Sequence, residues 1–231
     1  MRPSLSIFFP CYNDKGTIAT LVLDAKRTAE KLTDDFEIIV IDDGSTDGSR
    51  ELLRSLQDEL PELKLVLHDK NRGYGGALQS GFKAASKELV FYTDRDAQYD
   101  VTELPRLWEK LTPDVDIVNG YKIKRRDPLH RIVVGSMYQW VIRVAFLLPI
   151  RDIDCDFRLI RRKVFGSFEL HSNTGTITVE LIKKAQKAGF RFAEAPVSHR
   201  FRMYGTSQFF NFKRVTATLW RLSGLWFEVM L

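Results

Sequence analysis

The sequence lacks the features that mark disulfide-rich secreted proteins, zinc proteins and membrane-spanning proteins. It has two cysteines, Cys11 and Cys155, and their spacing fits neither a zinc site nor a disulfide framework. We therefore expect two free thiols in a reducing compartment. The apolar run at 5–9 is too short for the core of a signal peptide. No stretch of about 20 uncharged apolar residues occurs, so we expect no membrane-spanning helix.

Internal repeats, low-complexity tracts and linkers are also lacking, and the composition is that of an ordinary globular protein. Of the 231 residues, 44% are hydrophobic and 28% are charged, which suits one domain with or without an appendage. The 35 Lys and Arg exceed the 30 Asp and Glu, giving a net charge of +5. That charge is compatible with a nucleotide, a lipid headgroup or a nucleic acid as partner, and equally with a solvated basic surface.

The first half alternates between short apolar runs and segments with helical spacing. Strands are predicted at 5–9, 36–41, 63–67, 89–92 and 115–118. Helices are predicted at 17–32, from a cap at Ser45 or Thr46 to about 60, at 74–85 and at 101–111. The alternation predicts an α/β fold with a doubly wound, mostly parallel sheet flanked by helices. In such sheets, ligands bind at the carboxyl ends of the strands.

The second half has longer apolar segments. The segment 131–150 is apolar except for a few basic and polar residues, and 152–160 favours an edge strand. A helix at 176–187 and a strand at 190–196 are predicted to follow. The segment 208–231 mixes aromatic with basic residues. We therefore expect one domain over 1–207, with an amphipathic C-terminal extension over 208–231.

Acid-bearing loops follow the first, second and fourth predicted strands. They are Pro10-Cys11-Tyr12-Asn13-Asp14, Asp42-Asp43-Gly44-Ser45-Thr46-Asp47-Gly48 and Thr93-Asp94-Arg95-Asp96-Ala97-Gln98. Because the carboxyl ends of parallel strands meet at one edge of a sheet, we expect the three loops to converge there. This convergence is the main structural prediction from the sequence.

The third of these loops has the residue types of a divalent metal site. Asp94 and Asp96 are two residues apart, and Gln98 adds an amide; such hard oxygen ligands suit Mg²⁺ or Mn²⁺. A diphosphate would supply the remaining oxygens, and the metal would neutralise charge on a leaving nucleoside diphosphate. Two aspartates at this spacing also occur in solvated turns, which is the alternative interpretation.

The second loop has features of a nucleoside contact. Asp43 can accept hydrogen bonds from a ribose or a base edge, and Gly44 permits an unusual backbone angle in a tight turn. The alternative is a strand-to-helix turn without a ligand. A glycine-rich segment at 71–77 does not match a dinucleotide loop, because Leu78 stands where the third glycine would fall. That segment predicts a turn whose backbone approaches a ligand or a neighbouring helix.

These motifs, in this order, resemble the family 2, GT-A type glycosyltransferases. More narrowly, they resemble dolichol-phosphate mannose synthase and the polyprenyl-phosphate glycosyltransferases. The resemblance runs from about Leu5 to Gln208. The second half contributes Gly120-Tyr121-Lys122, Asp156-Phe157-Arg158-Leu159 and Arg202-Met203-Tyr204-Gly205-Thr206-Ser207.

The resemblance implies a role for each matching position. Residues implied to hold the nucleoside are Pro10, Tyr12, Asp14, Ile41 and Asp43. The implied metal ligands are Asp94, Asp96 and Gln98, with Arg95 against the diphosphate. Lys122, Arg131 and Arg202 would face the donor diphosphate or the acceptor phosphate, and Asp156 and Arg158 would line the acceptor side. We predict the catalytic set to be Asp96, Arg131, Asp156, Arg158 and Arg202.

Four positions depart from the family pattern. Asp14 replaces the usual Glu, Lys122 replaces Arg, and Gln208 stands where Lys is frequent. Lys122 offers a point charge instead of a bidentate fork. Arg95 replaces a small residue, and a cation between two metal ligands weakens metal binding unless it turns toward phosphate.

The reaction implied is an inverting, metal-dependent transfer of a hexose from GDP-mannose or UDP-glucose to a polyprenyl or dolichyl phosphate. A lipid phosphate is already largely ionised, so it needs cations such as those of 122–131 more than a strong base. A sugar hydroxyl acceptor would require a carboxylate base, for which Asp154, Asp156 and Glu180 are candidates. A hydroxyl acceptor and a catalytically impaired nucleotide-sugar-binding module both remain alternatives.

The expected partners besides the donor and acceptor include a membrane surface. The segments 131–150 and 208–231 suit helices in the plane of the interface, with Tyr138, Trp140, Trp220 and Trp226 at headgroup depth. Packing of these segments on the domain or on a partner chain is the alternative. We expect a peripheral protein at the cytoplasmic face, without nucleic acid, and leave a homo-oligomer open. The donor would bind to 1–120 and the acceptor to 121–207.

Overall fold

The computed structural model describes residues 2–94, 99–123, 129–199 and 212–230; side chains in the helices 129–146 and 212–230 are described from 135 and from 216 onward. The strands are β1 (Leu5–Cys11), β2 (Phe36–Asp42), β3 (Leu63–Leu67), β4 (Leu89–Thr93), β5 (Ile117–Ile123), β6 (Phe157–Arg161) and β7 (Phe192–Ser198). The helices are α1 (Ile18–Leu32), α2 (Ser49–Glu59), α3 (Gly73–Ala84), α4 (Leu104–Trp108), α5 (Leu129–Phe146), α6 (Ile177–Lys187) and α7 (Phe212–Met230). Among the described residues, no helix is both long enough and apolar enough to cross a bilayer.

The seven strands form one sheet in the order β3-β2-β1-β4-β6-β5-β7. All neighbouring pairs are parallel except those of β6, which runs antiparallel to β4 and β5. The predicted doubly wound, mostly parallel sheet is therefore confirmed. The edge strand predicted at 152–160 is wrong, because β6 begins only at Phe157 and lies between two other strands.

Each face of the sheet carries its own apolar core. Along β4, Leu89 and Phe91 belong to the core against α1 and α4, whereas Val90 and Tyr92 belong to the core against α3 and α6. All seven residues of β1 are buried. Strands covered on both faces need apolar side chains at successive positions, which is why continuous apolar runs identified them in the sequence.

Several element boundaries differ from the predictions. The helix expected at 101–111 is a 3-10 turn, Val101–Glu103, followed by the short α4. Neither Ser45 nor Thr46 caps α2, which begins at Ser49 after Gly48 at φ 89°. The carboxylate of Asp47 instead accepts the Ser49 N–H at 3.0 Å.

Helix α7 packs on the core through one side only. Leu222, Leu225 and Val229 are buried there, and the Trp226 indole N–H donates to the Ala145 carbonyl of α5 at 2.8 Å. Three other apolar side chains of the helix, Leu219, Trp220 and Phe227, are exposed. The extension predicted at 208–231 is thus an amphipathic helix within its described part.

Candidate functional site

The ends of β1, β2 and β4 bring the acid-bearing loops to one edge of the sheet. Cys11 pairs with Asp42 in the β1–β2 register, and the Asp43 N–H donates to the Cys11 carbonyl at 2.8 Å. On the other side of β1, β4 pairs with it as far as Tyr92. Asp94 therefore begins the third loop at the same edge, and residues 95–98 of that loop lie outside the described residues.

The first two loops are joined by side-chain hydrogen bonds. Asn13, at φ 52°, accepts the Thr46 N–H on its side chain at 2.8 Å, and its own N–H donates to the Ser45 hydroxyl at 2.9 Å. The Asp14 N–H donates to the Ser49 hydroxyl at 3.0 Å. Ser45 thus fixes the first loop on the second, a role that the helix-capping interpretation missed. These hydrogen bonds hold the two loops together at this edge.

Asp43, directly after β2, is buried. One carboxylate oxygen accepts from His68 Nδ1 at 2.7 Å and from the Arg72 N–H at 2.8 Å, and the other accepts from the Gly73 N–H at 3.1 Å. A carboxylate offers about four acceptor positions, so the second oxygen keeps capacity for a ligand. Sequence reasoning missed His68, although it follows β3 at the same carboxyl edge.

The glycine-rich segment makes a close backbone approach, as predicted, but to a loop rather than to a helix. The Gly75 N–H donates to the Asn173 carbonyl at 3.1 Å. A β-carbon at Gly73, which has φ +82°, would lie 2.6 Å from that same carbonyl oxygen. This packing places Tyr74 with its hydroxyl buried beside Asp156 and Asp94, and burial together with these two charges raises its pKa well above the ordinary value. Sequence reasoning missed Tyr74.

Asp94 and Asp156 lie opposite each other across the antiparallel β4–β6 pair. Thr93 pairs with Phe157, so the next positions are Asp94 and Asp156, and the Asp94 N–H donates to the Asp156 carbonyl at 3.3 Å. Because side chains alternate along a strand, both point to the face that holds Tyr92 and Arg158. The edge therefore carries a pair of adjacent carboxylates.

Arg158 lies beneath this pair and not at its surface. Its side chain is 0% exposed and donates to the Asp156 carboxylate at 2.8 Å. The expectation that Arg158 lines the acceptor side therefore fails on burial, since a fully enclosed guanidinium has no surface for an acceptor. Asp156 keeps a 12% exposed side chain and remains accessible at the edge.

A second polar group surrounds Lys122, near the end of β5. The Lys122 ammonium lies 3.6 Å from Asp152, whose carboxylate also accepts the Lys122 N–H at 3.0 Å and the Gln139 amide at 2.8 Å. Burial raises the pKa of the neighbouring Asp154 carboxyl, and the Lys122 charge opposes the rise. The ammonium of Lys122 therefore lies beside Asp152 near the end of β5.

Glu180, a candidate base from the sequence, bonds to groups away from the acid pair. Its buried carboxylate accepts the His171 and Ser172 N–H groups at 2.9 Å and pairs with Lys184 at 2.7 Å. The side chain is fully enclosed, so its candidacy as a base is wrong.

The remaining predicted site residues lie in β1 and β2, in the first loop, or outside the described residues. Pro10 and Ile41 pair in the β1–β2 register and are buried, whereas Tyr12 is exposed beside them. Asp14 begins the turn into α1, where its carbonyl accepts the Thr17 and Ile18 N–H groups at 3.2 Å. Outside the described residues lie Arg95, Asp96, Gln98 and Arg202, together with the side chain of Arg131.

The residues present fit part of a divalent metal site. Asp94 offers a hard oxygen ligand at the edge, next to the Asp156 carboxylate. Within the described ranges, no group of three or more His, Cys, Asp or Glu could hold a metal ion. Of the three predicted ligands, Asp94 alone lies within those ranges.

Comparisons with known proteins agree with this architecture. The sequence model described as Glycosyl transferase family 2 matches residues 6–168. An undecaprenyl-phosphate 4-deoxy-4-formamido-L-arabinose transferase of Yersinia enterocolitica is 30% identical over 207 residues, which are 89% of this chain and 62% of the relative. The Aeromonas hydrophila protein of the same name is 29% identical over 206 residues. The chain thus spans 62% of the length of these curated relatives.

Solved structures share the fold. Glucosyl-3-phosphoglycerate synthase from Mycobacterium tuberculosis in complex with uridine diphosphate superposes with a TM-score of 0.72 at 16% identity, covering 98% of this chain and 79% of that one. Its complex with Mn²⁺, uridine diphosphate and phosphoglyceric acid gives 0.70 at 17% identity, covering 99% and 76%. This likeness concerns the GT-A fold alone. With the family model matching most of its length, the chain belongs to glycosyl transferase family 2.

Proposed function

We propose that this chain transfers a sugar from a nucleotide sugar to a polyprenyl phosphate at a membrane surface. The observation that carries the proposal is the acidic edge of the sheet, where Asp43 and Asp94 follow β2 and β4, and where Asp94 and Asp156 lie opposite each other. The names of the relatives from Yersinia and Aeromonas, which give undecaprenyl phosphate, support this acceptor class. In this proposal residues 1–120 bind the donor and 121–207 bind the acceptor.

The donor would bind along the first two loops. Tyr12 is exposed there, and Asp43 keeps one acceptor position for a ribose or base group. GDP-mannose and UDP-glucose are the donors that the motifs suggest. The relatives' names give a formamido-arabinose, which is not a hexose. The donors to be tested therefore include nucleotide sugars other than those of hexoses.

Mg²⁺ or Mn²⁺ would be held by Asp94 with Asp96 and Gln98. Such a metal neutralises the charge that builds on the leaving diphosphate. Asp156, opposite Asp94, adds negative charge to the same place and so favours a cation there. Arg95 would turn toward the diphosphate.

The acceptor phosphate needs cations more than a base. It is largely dianionic near neutral pH, so Lys122, with Arg131 and Arg202, would hold it close to the negatively charged donor against their repulsion. The ammonium of Lys122 is mostly buried and is oriented by Asp152. A mostly buried charge of this kind is weakly screened and acts strongly on a nearby phosphate.

One observation favours a second candidate function, transfer to a sugar hydroxyl. A hydroxyl acceptor needs a general base whose pKa lies nearer to the working pH than that of an ordinary aspartate. Burial raises the pKa of Asp154 in that direction, and Gln139 donates to its carboxylate at 3.3 Å. Asp154 is the residue for this role in the alternative.

The membrane contact would use a surface that we call the outer face. It consists of the exposed apolar side chains of α5 and α7 and of Leu147 just after α5, namely Met137, Trp140, Val141, Val144, Leu147, Leu219, Trp220 and Phe227. An open groove of about 520 Å³ on α5 lies within it, lined by Trp140, Arg143, Val144, Leu147 and Leu148. Aromatic, aliphatic and basic side chains in one surface suit the headgroup region of a bilayer.

A transfer assay tests the proposal. The purified chain is incubated with Mn²⁺, one labelled nucleotide sugar at a time and polyprenyl phosphate in detergent, and lipid-linked sugar is separated by extraction. We expect label in the lipid fraction for one donor, with inverted anomeric configuration. Transfer only to free sugar acceptors would favour the hydroxyl alternative, and no transfer from any donor to either acceptor would contradict both.

A further inference from the structure

Arg158 carries a positive charge in the middle of the sheet, out of reach of solvent. Its side chain is 0% exposed. Burying a cation costs several kcal/mol unless it is paired and its donors are satisfied. A charge retained at such a place calls for a reason beyond packing, since an apolar side chain of similar volume would fill the same space.

The guanidinium bonds of Arg158 join three strands and the loop before β6. Nε donates to Asn119 Oδ1 at 2.5 Å, Nη1 to Asp156 Oδ1 at 2.8 Å and to the Tyr92 hydroxyl, and Nη2 to the Ile153 carbonyl at 2.5 Å. We call these five residues the Arg158 network. The planar guanidinium of Arg158 donates to four partners in different directions, which the ammonium of a lysine cannot do.

The strand register explains why the network can form. Arg158 on β6 pairs with Tyr92 on β4 to one side and with Asn119 on β5 to the other, so the three side chains stand in one row across the sheet. Asp156 lies two positions earlier and therefore on the same face. The bonds to Tyr92 and Asn119 in this row set the position of the guanidinium and the direction from which it donates to Asp156.

The network acts on a pair of like charges. Asp94 and Asp156 are directly opposed across β4 and β6, an arrangement in which like charges repel. Arg158 places a positive charge against Asp156 and bonds only its Oδ1. The second oxygen of Asp156 therefore receives no bond from Arg158, and the Asp156 side chain keeps 12% exposure.

We infer that Arg158 is a positioning residue that holds Asp156 beside Asp94 and thereby sets the acid pair that receives the cation and diphosphate of the donor. It touches neither donor nor acceptor. This inference rests on the proposed function, because the acid pair has a ligand to receive only if the chain binds a nucleotide sugar.

The test compares Arg158→Lys with Arg161→Lys. Arg161 lies on the same strand and donates to the carbonyls of Val115 and Thr112, away from the acid pair. For each variant, binding of Mn²⁺ alone and of uridine or guanosine diphosphate with Mn²⁺ is measured by calorimetry, alongside the melting temperature. We expect Arg158→Lys to weaken Mn²⁺-dependent nucleotide binding by about 10- to 100-fold, as for residues that orient metal ligands, and Arg161→Lys to leave it unchanged.

Tyr92→Phe provides a second variant should Arg158→Lys fail to fold. It removes one partner of Arg158 and keeps the ring that stacks on Phe8 at 5.4 Å. We expect roughly three- to tenfold weaker Mn²⁺-dependent binding. A lowered melting temperature with unchanged affinity, in either folded variant, would mean a structural role only and would overturn the inference. If the unchanged chain binds no nucleotide with Mn²⁺, the proposed function fails and the inference falls with it.

Discussion

Asp43 and Asp94 both follow parallel strands, but their surroundings suit them to different tasks. Asp43 is buried and already holds His68 and two backbone N–H groups of the turn into α3. Asp94 lies opposite a second carboxylate, that of Asp156. In the proposed site, Asp43 therefore shapes the nucleoside side, and Asp94 serves the charged diphosphate.

Away from this edge, Glu37 is a buried carboxylate that stabilises the opposite end of the sheet. Burial raises its pKa, but hydrogen bonds from Lys64, Ser6 and Ser86 outweigh this and lower it to about 2. The ionised Glu37 therefore stabilises the folded chain at pH values above 4.5, the ordinary pKa of a glutamate. This stabilisation is lost as the pH falls toward 2. We predict that the free-energy difference of unfolding between the wild type and Glu37→Gln shrinks by up to about 3 kcal/mol over that range.

Urea unfolding from pH 7 down to pH 2 measures this difference. Glu59→Gln is the matched control, because Glu59 is exposed at the end of α2. It is expected to leave the free energy of unfolding unchanged. A difference for Glu37→Gln that stays constant across the range would contradict the assignment.

At the scale of single residues, the sequence predicted the acids and missed Tyr74, and the family resemblance named Arg158 for a different role, on the acceptor side. Asp43 and Asp94 were identifiable because a rule of position, the carboxyl end of a strand, applies to them. Tyr74 and the buried Arg158 follow no such rule. Their roles depend on which strands flank β6, and the strand order is not written in the local sequence.

At the scale of elements, the start of α3 is fixed by glycines that let two backbones touch. A β-carbon on Gly75 would collide with the Ser172 carbonyl and lie 2.6 Å from the Asn173 carbonyl carbon. Ser172 is in turn tied to α6 by Glu180. This contact positions Tyr74 beside the acid pair, so packing between two elements determines the geometry of the site.

We predict that Gly75→Ala destabilises the chain by about 1–3 kcal/mol, since the added methyl group has backbone and not a flexible side chain to displace. It should also weaken nucleotide binding, because Tyr74 moves with the turn. Gly166→Ala is the control, as nothing lies within 4 Å of a β-carbon there. Equal melting temperatures for the two variants would show that the close approach is not as described.

The elements differ in how well the sequence predicted them. The strands β2 and β3, in which apolar residues predominate, were found nearly to the residue. The strand β6 was misplaced because Asp152, Asp154 and Asp156 alternate with apolar residues, which imitates a half-exposed strand. Those acids instead lie in the loop before β6, at the edge that holds the site.

At the scale of the whole molecule, the outer face of α5 and α7 lies on the sheet side covered by α3 and α6. Its two tryptophans, Trp140 and Trp220, are 65% and 80% exposed. Residues so apolar and so exposed indicate a surface that contacts something other than water. A bilayer carrying the acceptor lipid fits the proposed reaction.

We predict that Trp140→Ala combined with Trp220→Ala weakens binding to vesicles that contain anionic lipid by at least about tenfold, because each large apolar side chain contributes roughly 1.5–3 kcal/mol when buried. Co-sedimentation measures the binding. Leu23→Ala is the control, since Leu23 is a partly exposed apolar residue on α1, which covers the other side of the sheet. Unchanged sedimentation of the double variant would assign the outer face to protein contacts instead.

The most direct test of the central claim is calorimetric titration of the purified chain with GDP-mannose, UDP-glucose and related nucleotide sugars, with and without Mn²⁺. Asp94→Asn is compared with Asp58→Asn, an exposed carboxylate near the end of α2. We predict Mn²⁺-dependent binding of one donor, lost in Asp94→Asn and retained in Asp58→Asn. Binding of no donor by the folded chain in the presence of Mn²⁺ would contradict its assignment as an active, metal-dependent glycosyltransferase.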